Sequence, residues 1–200
     1  MKKLMLIRHG ETDYTKEGRY CGLQNVPLNA RGIEQAHKLS QALRKAEVDE
    51  IYSSDLIRCA KTAEIVFKKR VIHRRKGLRE IDFGKLSGKN HADVKHLYPD
   101  LYRSWLTDPK SARIPKGESL VGFAKRVERC FKNITKISKN KIVVLVIHGG
   151  PIRVILLHLL KMGLDKFWEL EQDTAALNII SFESRTPRVI KLNDTSHLRA

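Results

Sequence analysis

Two short apolar runs in this chain each end in a histidine followed by a glycine. The first covers residues 4–7 and leads into Arg8-His9-Gly10, and the second covers residues 142–147 and leads into His148-Gly149. Runs of this length with polar ends are typical of strands buried in a parallel sheet. Ligands of open α/β sheets bind at the carboxyl ends of the strands. If the two strands are neighbours, His9 and His148 face one another across one pocket.

The residues that follow the first run suit an anionic ligand. The guanidinium group of Arg8 can hold the oxygens of a phosphate-like group in a bidentate manner. Gly10 lets the backbone turn sharply and come close to a ligand. The alternative is that Arg8 and His9 are solvated polar residues at a strand end. These three residues alone do not decide between the two interpretations.

The length and composition favour one globular domain over residues 1–200. The chain has 200 residues, of which 42% are apolar and 30% charged, and it contains no internal repeat, low-complexity tract or linker. These values suit an ordinary globular protein with a full core. No apolar run approaches the roughly 18 residues that a membrane span needs, and the N-terminal run is too short for a signal peptide. Three cysteines without paired or metal-type spacing fit a reducing compartment, so we expect a cytoplasmic protein with no membrane partner.

The chain is strongly basic, with a formal net charge of +17. Such a charge favours anionic partners and would steer phosphorylated substrates toward the protein. It would also allow weak adhesion to nucleic acid. Because the lysines and arginines are spread along the whole chain, we interpret them as a solvated basic surface and do not expect a nucleic-acid partner.

Apolar spacing and turn residues predict alternating strands and helices. Asn29 is the expected N-cap of the first long helix, a serine or aspartate within residues 53–55 should cap the next, and the chain from Asn193 onward should be frayed. The predicted strands lie at about residues 4–7, 48–52, 70–73, 142–147, 177–182 and 189–192. The predicted helices lie at about 30–46, from 53–55 onward, 90–107 with a break at Pro99, and 119–138, and a last helix runs to about 161 with Pro151 in its first turn.

Four further motifs extend the pattern around Arg8-His9-Gly10. They are the loop at residues 22–32, Ser-Ser-x-x-x-Arg-x-x-x-Thr-Ala at 53–63, the Glu-containing segment at 77–88 and Pro-x-Gly-Glu-Ser at 115–119. Together they resemble the histidine phosphatase superfamily, the phosphoglycerate-mutase-like enzymes, over nearly the whole of residues 4–157. The resemblance implies a three-layer α/β/α fold with a mostly parallel central sheet. Asn25 stands where the family usually has Asp, and Thr15 where it commonly has Asn.

The resemblance also implies a set of site residues. Arg8 and Arg58 would clamp the phosphate, His9 and His148 would be the two histidines of the pocket, and Glu80 would be the acid. Asp82 is the competing candidate for that role. Alternatively, Glu80 has no catalytic role and simply forms an ion pair with Arg79 or Arg75. The expected substrate-binding residues are Gly10, Thr15, Cys21, Gly22 and Gly149.

These groups predict phosphate-ester hydrolysis without a metal or another cofactor. A neutral nitrogen of His9 would attack phosphorus to form a phosphohistidine, while a backbone carbonyl such as that of Gly10 holds the other ring nitrogen. Arg8, Arg58 and a protonated His148 would stabilise the phosphoryl oxygens, supplying the positive charge that other phosphatases take from metals. Glu80 would protonate the leaving alkoxide and then accept a proton from the hydrolytic water.

Three functions remain open at this stage. The first is a phosphomonoesterase acting on a small phosphorylated metabolite, as a monomer or a homodimer. Residues 78–84 and 115–119 most resemble the α-ribazole-5′-phosphate phosphatases of cobalamin biosynthesis. The second is a phosphoglycerate mutase, although only a short basic stretch stands where mutases carry a segment that shields the phosphoenzyme from water. The third is a non-catalytic phospho-ligand or nucleic-acid binder on the same fold.

Overall fold

The computed structural model describes residues 1–184 and 186–199, and a six-stranded sheet forms its centre. The strands are β1 (Lys3–Arg8), β2 (Glu50–Ser53), β3 (Ile72–Arg74), β4 (Ile142–Ile147), β5 (Leu177–Ser181) and β6 (Arg188–Asp194). Their order is β3-β2-β4-β1-β5-β6. The first four are parallel, while β5 and β6 pair antiparallel at one edge.

Among the described residues, seven helices and four short 3₁₀ turns surround this sheet. The helices are α1 (Asp13–Lys16), α2 (Ala30–Ala42), α3 (Ile57–Val66), α4 (His91–Leu97), α5 (Pro99–Thr107), α6 (Leu120–Ile137) and α7 (Gly149–Leu160). The 3₁₀ turns are Lys76–Leu78, Gly84–Leu86, Leu164–Glu169 and Ser196–Leu198. Within the described ranges, no helix has the length and apolarity needed to cross a membrane.

Alternate residues of β1 pack into two separate apolar clusters. Leu4 and Leu6 join the cluster that includes residues of α6 and α7, and Met5 and Ile7 join the one that includes residues of α2 and α3. Successive side chains of a strand point to opposite faces, so the sheet is covered on both sides. The predicted three-layer α/β/α fold is therefore confirmed. Because β1 pairs directly with β4, the two strand ends that carry histidines lie side by side.

The start of α3 differs from the prediction. The helix begins at Ile57 with Leu56 as its N-cap, so none of residues 53–55 caps it through a side chain. Instead, the Ile57 amide donates to Asn25 Oδ1 over 2.7 Å. Asp55 accepts two hydrogen bonds from Arg79, at 2.6 and 2.7 Å. The cap comes from a loop far away in the sequence, which local pattern reading does not detect.

α2 also differs from the prediction at one end. It has Asn29 as its N-cap, as predicted, but ends at Ala42 rather than Ala46. α7 begins at Gly149, so Pro151 lies in its first turn, as predicted.

The predicted fraying from Asn193 was wrong. β6 continues to Asp194, and the Asn193 amide donates to the buried Asn178 Oδ1 over 2.8 Å. The chain end is also held by Lys38, whose Nζ donates to the Leu198 carbonyl over 3.0 Å. Burying the side-chain amide of Asn178 requires a partner, and the Asn193 amide supplies one. Ala200, also in the stretch predicted to fray, lies outside the described residues.

Candidate active site

The adjacent ends of β1 and β4 bring the two histidines together. The ring centroids of His9 and His148 lie 5.2 Å apart with an interplanar angle of 68°, an edge-to-face arrangement. Both side chains are buried. The predicted pairing of the two strand ends thus places two imidazoles in one pocket.

The hydrogen bond of His9 defines which ring nitrogen carries the proton. Nδ1 lies 2.7 Å from the Gly10 carbonyl oxygen. A carbonyl only accepts, so Nδ1 is protonated and donates, and the Nε2 lone pair stays free. Burial lowers the pKa of His9 well below its usual value, and the positive charges of Arg58 and Arg8 lower it further. His9 is therefore a neutral imidazole with an available nucleophilic nitrogen.

The loop that carries His9 is packed tightly against the start of α2. A Cβ atom on Gly10 would lie 2.4 Å from the Gly32 carbonyl oxygen, and one on Gly32 would lie 2.0 Å from the Glu11 carbonyl oxygen. The Gly10 amide donates to Thr62 Oγ1 over 3.1 Å, which ties the loop to α3. The close approach that Gly10 makes is thus to the backbone of Gly32.

Arg58 connects a loop to the second histidine. Its Nη1 donates to the Gln24 carbonyl over 2.7 Å and its Nη2 to the Gly22 carbonyl over 2.8 Å. Its Nε donates to His148 Nδ1 over 3.2 Å. A guanidinium has five N–H donors, so one hydrogen on each terminal nitrogen remains for a ligand. Gly22 therefore contributes to the site through its carbonyl, which orients this arginine.

His148 is neutral in this structure. Arg58 can only donate, so His148 Nδ1 must be the acceptor, and the proton is on Nε2, which lies 2.9 Å from Ser54 Oγ. Burial, followed by the charge of Arg58, lowers the pKa of His148 well below its usual value. The expectation of a protonated His148 was therefore wrong for this state, because desolvation and a neighbouring cation both disfavour the imidazolium.

Two residues beside His148 were not predicted as part of the site. The sequence predicts Ser54 as one of three possible helix caps and gives Cys59 no role at the site. Cys59 Sγ lies 3.5 Å from Nδ1 and 3.3 Å from Nε2 of His148. Burial raises the pKa of the Cys59 thiol far above its usual value, so it packs against the imidazole as a neutral group. Ser54 is the second serine of the Ser-Ser-x-x-x-Arg-x-x-x-Thr-Ala motif, which could have indicated it, whereas Cys59 occupies a variable position of that motif.

Arg8 has donors available beside His9. Its Nη1 donates to the Gln172 carbonyl over 2.5 Å. Its Nε is buried and makes no hydrogen bond with the described residues. Burial lowers the pKa of Arg8 from its usual value, while the charges of Glu80 and Asp173 oppose that shift. A buried donor without a partner is costly, and an anionic oxygen would satisfy it.

Glu80 is a carboxyl group that the fold brings to Gly150 at the start of α7, two residues after His148. Its Oε2 accepts from the Gly150 amide at the start of α7 over 3.2 Å, and its Oε1 accepts from the Ile81 amide over 3.0 Å. Asp82 bonds within its own turn, accepting from the Gly84 amide over 2.9 Å. Arg79 is engaged by Asp55, so it does not neutralise Glu80. The geometry favours Glu80 over Asp82.

The remaining predicted residues lie around this centre with different contacts. Cys21 Sγ lies 3.7 Å from the Gln24 carbonyl, and burial raises the pKa of its thiol. Gly149 is the first residue of α7, directly beside Arg8. The Thr15 hydroxyl donates to the Thr12 carbonyl over 2.9 Å in the cap of α1. Because the hydroxyl hydrogen of Thr15 already bonds to the Thr12 carbonyl, a contact between Thr15 and phosphate stays a prediction.

Two further features bear on where a ligand could bind. A separate groove of about 650 Å³ lies between α2 and α3 and is lined by residues such as Ile33, Ile57 and Lys61, with no histidine among them. In the part of the chain that the structure describes, no cluster of three histidine, cysteine or acidic side chains has the arrangement of a metal site.

The chain is similar to known proteins over nearly its whole length. The model of the histidine phosphatase superfamily (branch 1) matches residues 4–195. Phosphoserine phosphatase 1 of Hydrogenobacter thermophilus is 36% identical over 207 residues, covering 99% of this chain and 95% of that protein. Adenosylcobalamin/alpha-ribazole phosphatase of Salmonella typhimurium is 32% identical, covering 89% of each chain. A mutant phosphoserine phosphatase from Entamoeba histolytica, solved in complex with phosphoserine, superposes with a TM-score of 0.89 at 28% identity, covering 99% of this chain and 100% of that one.

The chain therefore belongs to the histidine phosphatase superfamily. The resemblance seen in the sequence is confirmed, and with it the phosphatase class of enzyme.

Proposed function

We propose that this chain hydrolyses small phosphomonoesters through a phosphohistidine at His9. The observation that carries the proposal is the hydrogen bond from His9 Nδ1 to the Gly10 carbonyl, 2.7 Å long, which leaves Nε2 free to attack. Arg8 precedes His9 in the chain and has a buried Nε without a partner among the described residues, and Arg58 donates to His148 with donors to spare. They provide the positive charge that a phosphoryl group requires.

The first step transfers the phosphoryl group to the protein. His9 Nε2 forms a bond to phosphorus while the ester P–O bond breaks. A protonated Glu80 gives its proton to the departing alkoxide. Arg8 and Arg58 donate to the phosphoryl oxygens, and the neutral His148 is kept in place by Arg58 and Ser54. The Gly150 amide orients the Glu80 carboxyl group from the start of α7.

The second step returns the protein to its starting state. Water attacks phosphorus, Glu80 accepts the proton that the water loses, and the P–N bond breaks to release inorganic phosphate. His9 regains its Nε2 lone pair, and Glu80 is again protonated. All charge stabilisation in this scheme comes from side chains, so we propose that the reaction needs no metal or other cofactor.

The candidate substrates are O-phosphoserine and α-ribazole 5′-phosphate, because enzymes named for both are similar to this chain over most of its length. We place the protein in the cytoplasm, as a monomer or a homodimer, without a nucleic-acid partner. The short stretch between Gly88 and Pro115 supports hydrolysis over mutase activity.

The test is phosphate release from a panel of esters, with chelator present, by the intact protein and by His9→Ala. The panel contains O-phosphoserine, α-ribazole 5′-phosphate, p-nitrophenyl phosphate and both phosphoglycerates. We expect metal-independent release that His9→Ala abolishes, whereas His37→Ala, an exposed histidine on α2, keeps full activity. Interconversion of 2- and 3-phosphoglycerate would instead indicate a mutase, and release by His9→Ala would refute the role of His9.

A further inference from the structure

Arg153 is a half-buried cation on α7 that the proposed reaction does not use. Its Nε donates to the Leu170 carbonyl over 2.8 Å. Its guanidinium group lies over two aromatic rings, 5.5 Å from the centroid of Phe167 and 5.1 Å from that of Trp168. These contacts fix the plane of the guanidinium and use only Nε as a donor. The edge formed by Nη1 and Nη2 therefore remains available.

The Nη1 end of that edge lies close to Gly149 and Arg8. A Cβ atom on Gly149 would lie 3.2 Å from Arg153 Nη1 and 3.6 Å from Arg8 Nε. The two guanidinium groups thus approach one another across a residue that has no side chain. Burial, followed by the charge of Arg8, lowers the pKa of Arg153 to about 10. Two cations this close repel one another, which is costly without an anion between or beside them.

The described residues do not neutralise this pair. None of their carboxylates lies within 4.0 Å of a nitrogen of Arg8 or Arg153. Glu80 and Glu171 act on Arg153 only from a greater distance. One phosphoryl group, held by Arg8 and Arg58, leaves the charge of Arg153 uncompensated.

We propose that Arg153 binds a carboxylate of the substrate, so that the preferred ester is a short phosphorylated acid. This inference rests on the proposed function and narrows it. A guanidinium edge holds a carboxylate with two parallel hydrogen bonds. Because Arg153 lies so close to Arg8, only a short skeleton fits between the phosphate and this second anion, as in a three-carbon phosphorylated acid. A purely structural arginine would need only the Nε contact to Leu170.

The test compares esters that differ at the carboxylate. O-phosphoserine is paired with O-phosphoethanolamine, and 3-phosphoglycerate with glycerol 3-phosphate. In Arg153→Met we expect kcat/KM for each acid to fall about 10- to 100-fold, mainly through KM, as for a lost charge-assisted hydrogen bond. For the esters without a carboxylate, kcat/KM should change less than about threefold. Arg153→Lys keeps the charge but cannot make two parallel hydrogen bonds, so its loss of kcat/KM for the acids should be intermediate.

The ratio of kcat/KM for the two esters of a pair distinguishes recognition of the carboxylate from a defect in folding. A general loss of stability lowers both members of a pair together, as does a distorted pocket. Arg129→Met, an exposed arginine on α6, is the matched control and should leave both ratios unchanged. Equal losses within each pair in Arg153→Met would overturn the proposal, and so would an intact protein that does not prefer the acids.

A binding measurement decides the matter even if turnover is low. Calorimetric affinities for O-phosphoserine and O-phosphoethanolamine are compared in His9→Ala with and without Arg153→Met. We expect the second substitution to weaken only O-phosphoserine, by about 10-fold or more. If Arg153→Met left the affinity for O-phosphoserine unchanged, or weakened both ligands equally, the role of Arg153 would be refuted. Failure of the proposed function is distinct, since it shows as no phosphate release from any ester by the intact protein.

Discussion

His9 and His148 are buried as neutral imidazoles beside Arg58 and Arg8, and this makes stability depend on pH. The pKa of each is lowered in the folded protein, whereas an unfolded histidine titrates near 6.5. Below about pH 6.5 the unfolded chain therefore binds protons that the folded protein does not. The stability from these two residues is complete above about pH 6.5, and it is lost as the pH falls toward the lowered values.

We predict that each histidine contributes a measurable slope to the free energy of unfolding as a function of pH. Between about pH 6.5 and pH 5, each should lower the free energy of unfolding by up to about 1.4 kcal/mol per pH unit as the pH falls. His148→Gln should remove one of these contributions in urea unfolding at several pH values. Glu50, with a pKa of about 2, titrates below this window. Parallel pH dependence of the intact protein and the variant would contradict the prediction, and His37→Gln is the exposed control.

The sequence predicted which residues meet in the pocket better than it predicted their protonation. Arg8, His9 and His148 follow apolar runs directly, so their place at the strand ends could be inferred from local pattern. The protonation state of His148 depends on Arg58, which is distant in the chain, and on complete burial. The free edge of Arg153 depends on Leu170 and Gly149 in the same way. Contacts between distant segments carry no local signal.

The segment that carries Glu80 is held by α6. Arg126 donates to the carbonyls of Gly77, Arg79 and Glu80 at 3.1 to 3.2 Å. It also makes two hydrogen bonds to the Glu118 carboxylate, at 2.8 and 2.7 Å. Arg126 is thus a positioning residue that fixes the backbone from which Glu80 reaches the Gly150 amide.

We predict that Arg126→Met weakens acid catalysis more than binding. An alkoxide leaving group needs a proton from Glu80, whereas p-nitrophenolate leaves without one. For the best alkyl ester, kcat/KM, which reports the steps up to the phosphohistidine, should fall about 10-fold or more, while kcat/KM for p-nitrophenyl phosphate should change less than about threefold. Steady-state kinetics of both esters measure this difference. Equal losses for the two would mean that Arg126 has only a structural role, and Arg129→Met is the control on the same helix.

The contact between the His9 loop and α2 requires glycine. In Gly32→Ala the new Cβ would lie 2.0 Å from a backbone oxygen of Glu11, which cannot move without displacing the loop. We predict a loss of about 1–3 kcal/mol in the free energy of unfolding, together with a loss of kcat. Denaturant unfolding and turnover measure the two effects.

Gly122→Ala on α6 is the control for this substitution. Its Cβ would meet only the Ser119 Oγ, at 3.2 Å, a side-chain atom that can move. Because alanine is the better helix former, its stability should be unchanged or slightly higher. A Gly32→Ala protein as stable as Gly122→Ala would show that the two backbones are not in close contact.

Element boundaries show what local pattern determines. α6 was predicted within one residue because its apolar spacing and the Ser119 cap are both local. β4 was recognised because all six of its residues are apolar and buried. The start of α3 depends on Asn25, 32 residues away, and the ordered C-terminus depends on Lys38 and Asn178. Those ends could not be read from neighbouring residues.

The net charge of +17 affects the rate at which anionic substrates reach the protein, and not the chemical step. Long-range attraction of a dianionic ester is screened within about 8 Å at physiological ionic strength and within about 30 Å at 0.01 M. We predict that kcat/KM falls several-fold between about 0.01 M and 0.15 M salt, with kcat unchanged, when association limits kcat/KM. Initial rates at several salt concentrations test this. A parallel fall of kcat would instead place the effect at the chemical step.

The proposed reaction passes through a phosphohistidine at His9, and trapping this intermediate would test the reaction. The intact protein is mixed with a ³²P-labelled ester and quenched in base within milliseconds, and the labelled peptide is sequenced. We predict a label on the peptide containing His9 that is stable to base and lost in acid, and that is absent from His9→Ala. A label on another residue would contradict the account, as would rapid hydrolysis by His9→Ala.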